Sequence, residues 1–150
     1  DRSVEGYTRV AHELTRAGEA SLARGIQLPY HNHDFEFTPV TGRLPYDILI
    51  AESDPSLVQM ELDIYWIMKA GQDPLAYFAR YPGRFPLIHA KGMTKGGAMV
   101  DVGTDAIDWR AIMGRAKQAG MRHVFVEHDE PPSPLADART SYDYLRALTF

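Results

Sequence analysis

The sequence has no cysteine. That excludes a disulfide framework, a thiolate metal site and a thiol nucleophile, and it leaves the cellular compartment undetermined. No apolar run approaches the roughly 20 residues that a membrane-spanning helix needs, so no membrane partner is expected. Basic residues are scattered rather than clustered and the net charge is -4. Nucleic-acid binders concentrate Lys and Arg on one face, so a nucleic-acid role is not expected either. A signal-peptide pattern is missing, and the first residues are Asp-Arg-Ser-Val rather than Met. The chain therefore reads as a processed or truncated piece of a soluble protein, with cytoplasm and periplasm both open.

What remains is ordinary globular composition: 150 residues, 45% hydrophobic and 24% charged. This is enough for one domain with a real core, and no linker or low-complexity tract divides it. Val4, Tyr7, Val10, Ala11, Leu14 and Ala17 recur at three- and four-residue spacing, which predicts a helix from Ser3 to Arg24 that Gly25 ends. Ile26 to His31 reads as a first strand, followed by a short helix from Tyr46 to Ser53. Leu57 to Asp63 reads as a second strand. Asp73-Pro74 caps a helix that runs to about Tyr81. Pro86 to Lys91 is a third strand, and Thr94 to Gly103 a Gly-rich loop. Asp108 caps a helix running to Gln118, with Gly120 as its stop. Arg122 to His128 is a fourth strand, Glu130 to Pro134 a Pro-rich loop, and Asp137 to Leu148 a last helix. Strand and helix in strict alternation predict an α/β fold with parallel strands joined by crossovers.

Each strand ends in a metal-competent side chain: His31, Asp63, His89 and Glu127. In a parallel sheet these ends lie on one side, where barrels and doubly wound sheets carry their active sites. Each interval is long enough for a loop, a helix and a return. Two imidazoles and two carboxylates suit Mn, Zn, Fe or Co better than Ca, which prefers all-oxygen sites; the expected cofactor is a divalent ion, with Mg also left open. An Asp or Glu at a strand end also serves as a helix cap, and a lone His in a strand as a core residue. Four at successive strand ends favour a site. Residues two apart share a strand face, so Lys91 sides with His89, Glu61 with Asp63, and His33 with His31. Asn32 faces the other way. Near a cation Lys91 would stabilise an enolate or shuttle a proton with a lowered pKa; an ordinary ion-pairing lysine is the plainer alternative. Trp66 is either core or an apolar wall for a sugar ring.

The runs Tyr30-His31-Asn32-His33-Asp34-Phe35-Glu36-Phe37 and Glu61-Leu62-Asp63-Ile64-Tyr65-Trp66 resemble the sugar phosphate isomerase/epimerase family, which has the xylose isomerase-like TIM barrel. So do Tyr81-Pro82-Gly83-Arg84 with Leu87-Ile88-His89-Ala90-Lys91, Asp101-Val102-Gly103 through Ile107-Asp108-Trp109, and Val126-Glu127-His128-Asp129. The resemblance extends from about Ile26 to the end. It implies the C-terminal half of a barrel, four parallel βα units out of eight, as a single domain. It also implies a metal held by Glu, Asp, His and Glu on successive strands. The last three fall on Asp63, His89 and Glu127. The first falls on His31, with His33 as the fallback. Gly92 stands where many relatives carry Asp, and Trp66 where sugar epimerases often carry a substrate-binding His.

The resemblance implies isomerisation or epimerisation of a sugar or keto-sugar through an enediolate. Glu127, Lys91 and His33 would be the catalytic groups, and Trp66 and Glu36 would meet substrate. The His-for-Glu replacement keeps a lyase or dehydratase on keto-inositol or 3-keto-glycosides as an alternative. A metal- or sugar-binding fragment without catalysis is a third reading. To close the barrel, either an N-terminal half belongs to it or two copies assemble.

Overall fold

A computed structural model describes residues 1–150. Helix α1 (Val4–Leu22) starts where Ser3 accepts the Gly6 N–H, and the chain turns at Gly25, whose φ of 76° suits glycine. Strand β1 (Leu28–His31) leads through a 3-10 turn at Phe35–Phe37 to α2 (Pro45–Glu52). Strand β2 (Val58–Asp63) runs straight into α3 (Ile64–Lys69), and α4 (Pro74–Arg80) follows an Asp73 cap. After β3 (Leu87–Ala90) comes a small antiparallel hairpin, β4 (Gly92–Met93) and β5 (Met99–Val100). Helices α5 (Trp109–Met113) and α6 (Ala116–Ala119) precede β6 (His123–Val126), and α7 (Pro134–Ala147) closes the chain.

The four long strands form one parallel sheet in the order β1-β2-β3-β6, so β1 and β6 are its edges. Alternation along the strands separates two faces. Val58, Met60, Leu62, Ile88 and Ala90 are fully buried, packed in one core with Tyr46, Ile50, Ile64, Phe78, Phe85 and Trp109. Burying each large apolar side chain contributes about 1.5–3 kcal/mol, so this one-sided layer carries the stability of the fold. The residues between them, Pro29, His31, Gln59, Glu61, Leu87 and His89, are only half-buried, and Phe125 is exposed. They line a bare inward face. At its lower end Pro29, Gln59, Leu87 and His123 border a cavity of about 530 Å³. A barrel interior is normally filled by layers of side chains contributed from all around it; here half of that ring is present.

Four elements differ from the sequence reading. The stretch read as a Gly-rich loop contains the β4–β5 hairpin, turned at Gly97 (φ 85°). The helix expected from Asp108 to Gln118 breaks into α5 and α6 at Gly114-Arg115. Helix α3 directly after Asp63 had no separate signal. The last helix also begins earlier than expected, because Pro134 takes its first turn.

Candidate metal centre

Register brings the strand ends together. Asp63 lies opposite His89 and His31 opposite Glu61. The Glu127 N–H continues the β3–β6 ladder onto the Ala90 carbonyl (3.2 Å). Imidazole and carboxylate atoms of His31, Asp63 and His89 lie within 4.8 Å of one another. His31 Nε2 is 3.1 Å from Asp63 Oδ2, and His89 Nδ1 is 3.9 Å from that oxygen. Glu127 stands beside this trio rather than within it: its Oε2 meets His89 Nδ1 and Lys91 Nζ.

Asp63 is completely buried and divides its work between two oxygens. Oδ1 accepts the Trp66 N–H at 3.1 Å and caps α3, while Oδ2 faces the cluster. The helix-capping and ligand readings of this residue are therefore compatible. Asn32, also fully buried, accepts the Asp63 N–H through Oδ1 at 3.0 Å. It faces away from the cluster, as alternation predicts, yet it fixes the backbone of the central carboxylate.

Lys91 is 3% exposed and donates to three carboxylates: Asp129 at 2.7 Å, Glu127 at 2.8 Å and Asp63 at 3.2 Å. Burial alone would push its pKa down. The hydrogen bonds to Asp129 and Glu127 and the charge of Asp63 outweigh burial and hold the ammonium above the ordinary lysine range. The lowered pKa expected beside a cation is therefore not what these three carboxylates produce by themselves: they favour the charged ammonium. Burial likewise tends to raise Glu127, but Lys91 and His89 pull it below the ordinary glutamate value.

The other expected residues are less central. His33 is exposed at the lip, its ring 5.0 Å from that of His31 and 5.6 Å from that of Trp66. Trp66 borders the cluster, 5.9 Å from Lys91 Nζ, and its buried indole N–H has no partner. Glu36 is fully buried with both oxygens engaged, one by the Tyr30 hydroxyl at 2.7 Å and one by the His33 N–H at 2.9 Å. Its carboxylate orders the chain after β1 and is sealed from solvent, against the expected substrate contact. Two participants had gone unassigned, Glu61 on His89 Nε2 (2.8 Å) and Asp129 on Lys91. The alternation that paired Glu61 with Asp63 contained the first signal. A separate trio of Asp101, His128 and Asp137 ties the loop after β5 to the end of β6, with His128 Nδ1 3.3 Å from Asp101.

The donor set fits a divalent ion. Asp63, Glu61, Glu127 and Asp129 bring four carboxylates to a space that holds one fixed cation, Lys91. Both nitrogens of His89 face carboxylates, although a neutral imidazole has only one N–H. The second contact requires a proton or a cation between its partners.

No protein-family model matches the chain. Among curated proteins it is 26% identical over 163 residues to inosose dehydratase of Lacticaseibacillus casei, covering 94% of this chain and 54% of that one. It is also 26% identical over 87 residues to inosose dehydratase of Clostridium beijerinckii, covering 58% and 28%. Two structures titled sugar phosphate isomerase/epimerase from Parabacteroides distasonis superpose with TM-scores of 0.84 and 0.86. Identities are 27% and 25%; the matches cover 98% and 99% of this chain and 54% and 56% of theirs. A xylose isomerase-like TIM barrel/4-hydroxyphenylpyruvate dioxygenase fusion protein shares the fold at TM-score 0.61 and 15% identity, over 91% of this chain and 23% of that one. The chain spans about half the length of the first curated relative it matches. In fold, the chain matches one half of the xylose isomerase-like TIM barrel of these sugar phosphate isomerase/epimerase structures.

Proposed function

We propose that the assembled protein removes a proton next to the carbonyl of a keto-sugar or keto-inositol and then expels a β-hydroxyl as water. The observation that carries this reading is the convergence of Glu127, His89 and Lys91 at one carboxylate oxygen, beside the buried Asp63. A divalent ion held by His31, Asp63, His89 and Glu127 would polarise the substrate carbonyl and acidify the neighbouring C–H. Glu127, 43% exposed, is the base: the C–H bond breaks and its proton passes to the Glu127 carboxylate. The Lys91 ammonium stabilises the enolate charge. As the C–C double bond forms and the β C–O bond breaks, His33 at the lip is the group placed to give the leaving hydroxyl its proton. Trp66 supplies an apolar wall for the ring.

Two features favour elimination. Epimerisation uses acid/base groups on both faces of one carbon, and histidine stands where the second glutamate would be. The curated relatives at 26% identity are dehydratases. Isomerisation or epimerisation is the second reading, supported by the names of the structural neighbours. In that reading Glu127 returns the proton to carbon and no water is lost.

Incubation with a keto-inositol and Mn²⁺ in D₂O, followed by NMR and mass spectrometry, tests the proposal. An unsaturated or diketo product lighter by one water is expected. Deuterium incorporation with a new diastereomer and no loss of water overturns elimination in favour of isomerisation. A retained stoichiometric ion with neither exchange nor product overturns catalysis and leaves a binding module.

Closing the barrel takes a second half, from an N-terminal segment or from a second copy; in the latter case β6 of each chain would pair with β1 of the other. Two open edges of a parallel sheet are an association liability, and the exposed Val124 and Phe125 lie on one of them. Light scattering should return twice the monomer mass; a monodisperse monomer overturns this closure.

A further inference from the structure

Glu61 lies on the inward face of β2, two residues before Asp63, and is level with Leu87 of β3. Its Oε1 is 2.8 Å from His89 Nε2, its side chain is 16% exposed, and no Lys or Arg pairs with it. A carboxylate this sheltered with a single partner orders that partner strongly.

The partner has a choice to make. A neutral imidazole carries its hydrogen on Nδ1 or on Nε2, and the bond made by one nitrogen decides which is free for other work. Nδ1 of His89 points to the cluster, toward Asp63 Oδ2 and Glu127 Oε2. With the hydrogen on Nε2, Glu61 accepts it and the Nδ1 lone pair faces the place where a cation would be held. With the hydrogen on Nδ1, a lone pair would press against the Glu61 carboxylate and a hydrogen would fill the cation's place.

We propose that Glu61 is a positioning residue that fixes His89 as the Nε2–H tautomer and thereby leaves Nδ1 ready for the ion. The inference rests on the reading of His89 as a ligand. Glu61 is neither a ligand nor a contact of substrate; it acts through the imidazole. Carboxylates behind a metal-bound histidine characteristically contribute 10- to 100-fold in metal affinity.

The test uses Zn²⁺ alone as probe, titrated against a chromogenic chelator, with the imidazole ¹H–¹⁵N spectrum as an independent readout. The Zn²⁺-loaded wild-type chain should show His89 protonated at Nε2. Glu61→Ala should weaken Zn²⁺ by about 10- to 100-fold. Glu61→Gln, whose amide oxygen accepts the same N–H, should stay within about threefold. A wild-type spectrum with the hydrogen on Nδ1 overturns the proposal, and that measurement needs no variant to fold. Zn²⁺ affinity in Glu61→Ala within about twofold of wild type, with binding lost in His89→Ala, overturns the role of Glu61 while sparing the metal reading. Unchanged binding in His89→Ala overturns the metal reading, and the inference with it.

Discussion

Replacing Lys91 with methionine should lower the stability of the fold by about 3–5 kcal/mol, the usual result of removing one partner from a buried ion pair. The methylene stem is largely conserved by the exchange, so packing changes little. What is lost is the only fixed cation among Asp63, Glu127 and Asp129. Asp63 is completely buried and its Oδ1 is committed to the Trp66 N–H. Its charge therefore cannot turn toward water. In a chain of this size each kcal/mol moves Tm by roughly 2–4 °C, so thermal melts report the change directly. Mn²⁺ should raise the Tm of the variant by more than it raises that of wild type, because the dication answers charge that the ammonium no longer balances. A variant that melts within about 2 °C of wild type, or that gains no more from Mn²⁺, contradicts this account of the cluster.

Glu127→Gln should reduce turnover by about 10²- to 10⁴-fold, the range for loss of a positioned base. The ion should be retained, because His31, Asp63 and His89 form the compact trio and Glu127 stands beside it. Comparing kcat with metal content separates the two roles: loss of the ion along with activity would make Glu127 a ligand first and a base second. The same variant has a second signature in acid. Lys91 and His89 hold the Glu127 carboxyl below its ordinary value. Its contribution to stability is thus complete above about pH 4.3, the ordinary glutamate value, and fades as pH falls through the lower folded value. The glutamine variant lacks that term and should lose less Tm on acidification. The difference is small, since the side chain is 43% exposed and solvent screens it.

Much of this arrangement was legible because period and punctuation agreed. Asp73 and Asp108 cap the helices they were expected to cap, and the alternating βα pattern has one efficient solution, parallel strands with their ends aligned. The four ligand candidates could be named because chemistry-bearing residues stood where four apolar runs stopped. What local pattern could not supply was cross-strand detail. Glu61 reads as a strand residue with a solvated carboxylate until β3 is laid beside it and His89 arrives within reach. Lys91 was expected with a lowered pKa because its carboxylate partners are remote in sequence; Asp129 lies 38 residues away. Glu36 shows the opposite failure. It sits in a run that resembles the isomerase/epimerase family and was expected to meet substrate, but the turn at Phe35–Phe37 folds its carboxylate back on Tyr30 and the His33 N–H. Helix α3 was missed because Asp63 ends a strand and caps a helix at the same residue.

The clamp on Asp63 separates what is still from what can adjust. Its backbone N–H is taken by Asn32, one oxygen by Trp66, and the other by His31 and Lys91. The entropy of ordering that carboxylate is lost when the chain folds, not when a ligand arrives, which is the essence of preorganisation. Glu127, just past an edge strand and 43% exposed, is held from one side by His89 and Lys91 and meets solvent on the other. Substrate would then meet the proton acceptor from its open side, beside an immobile anchor.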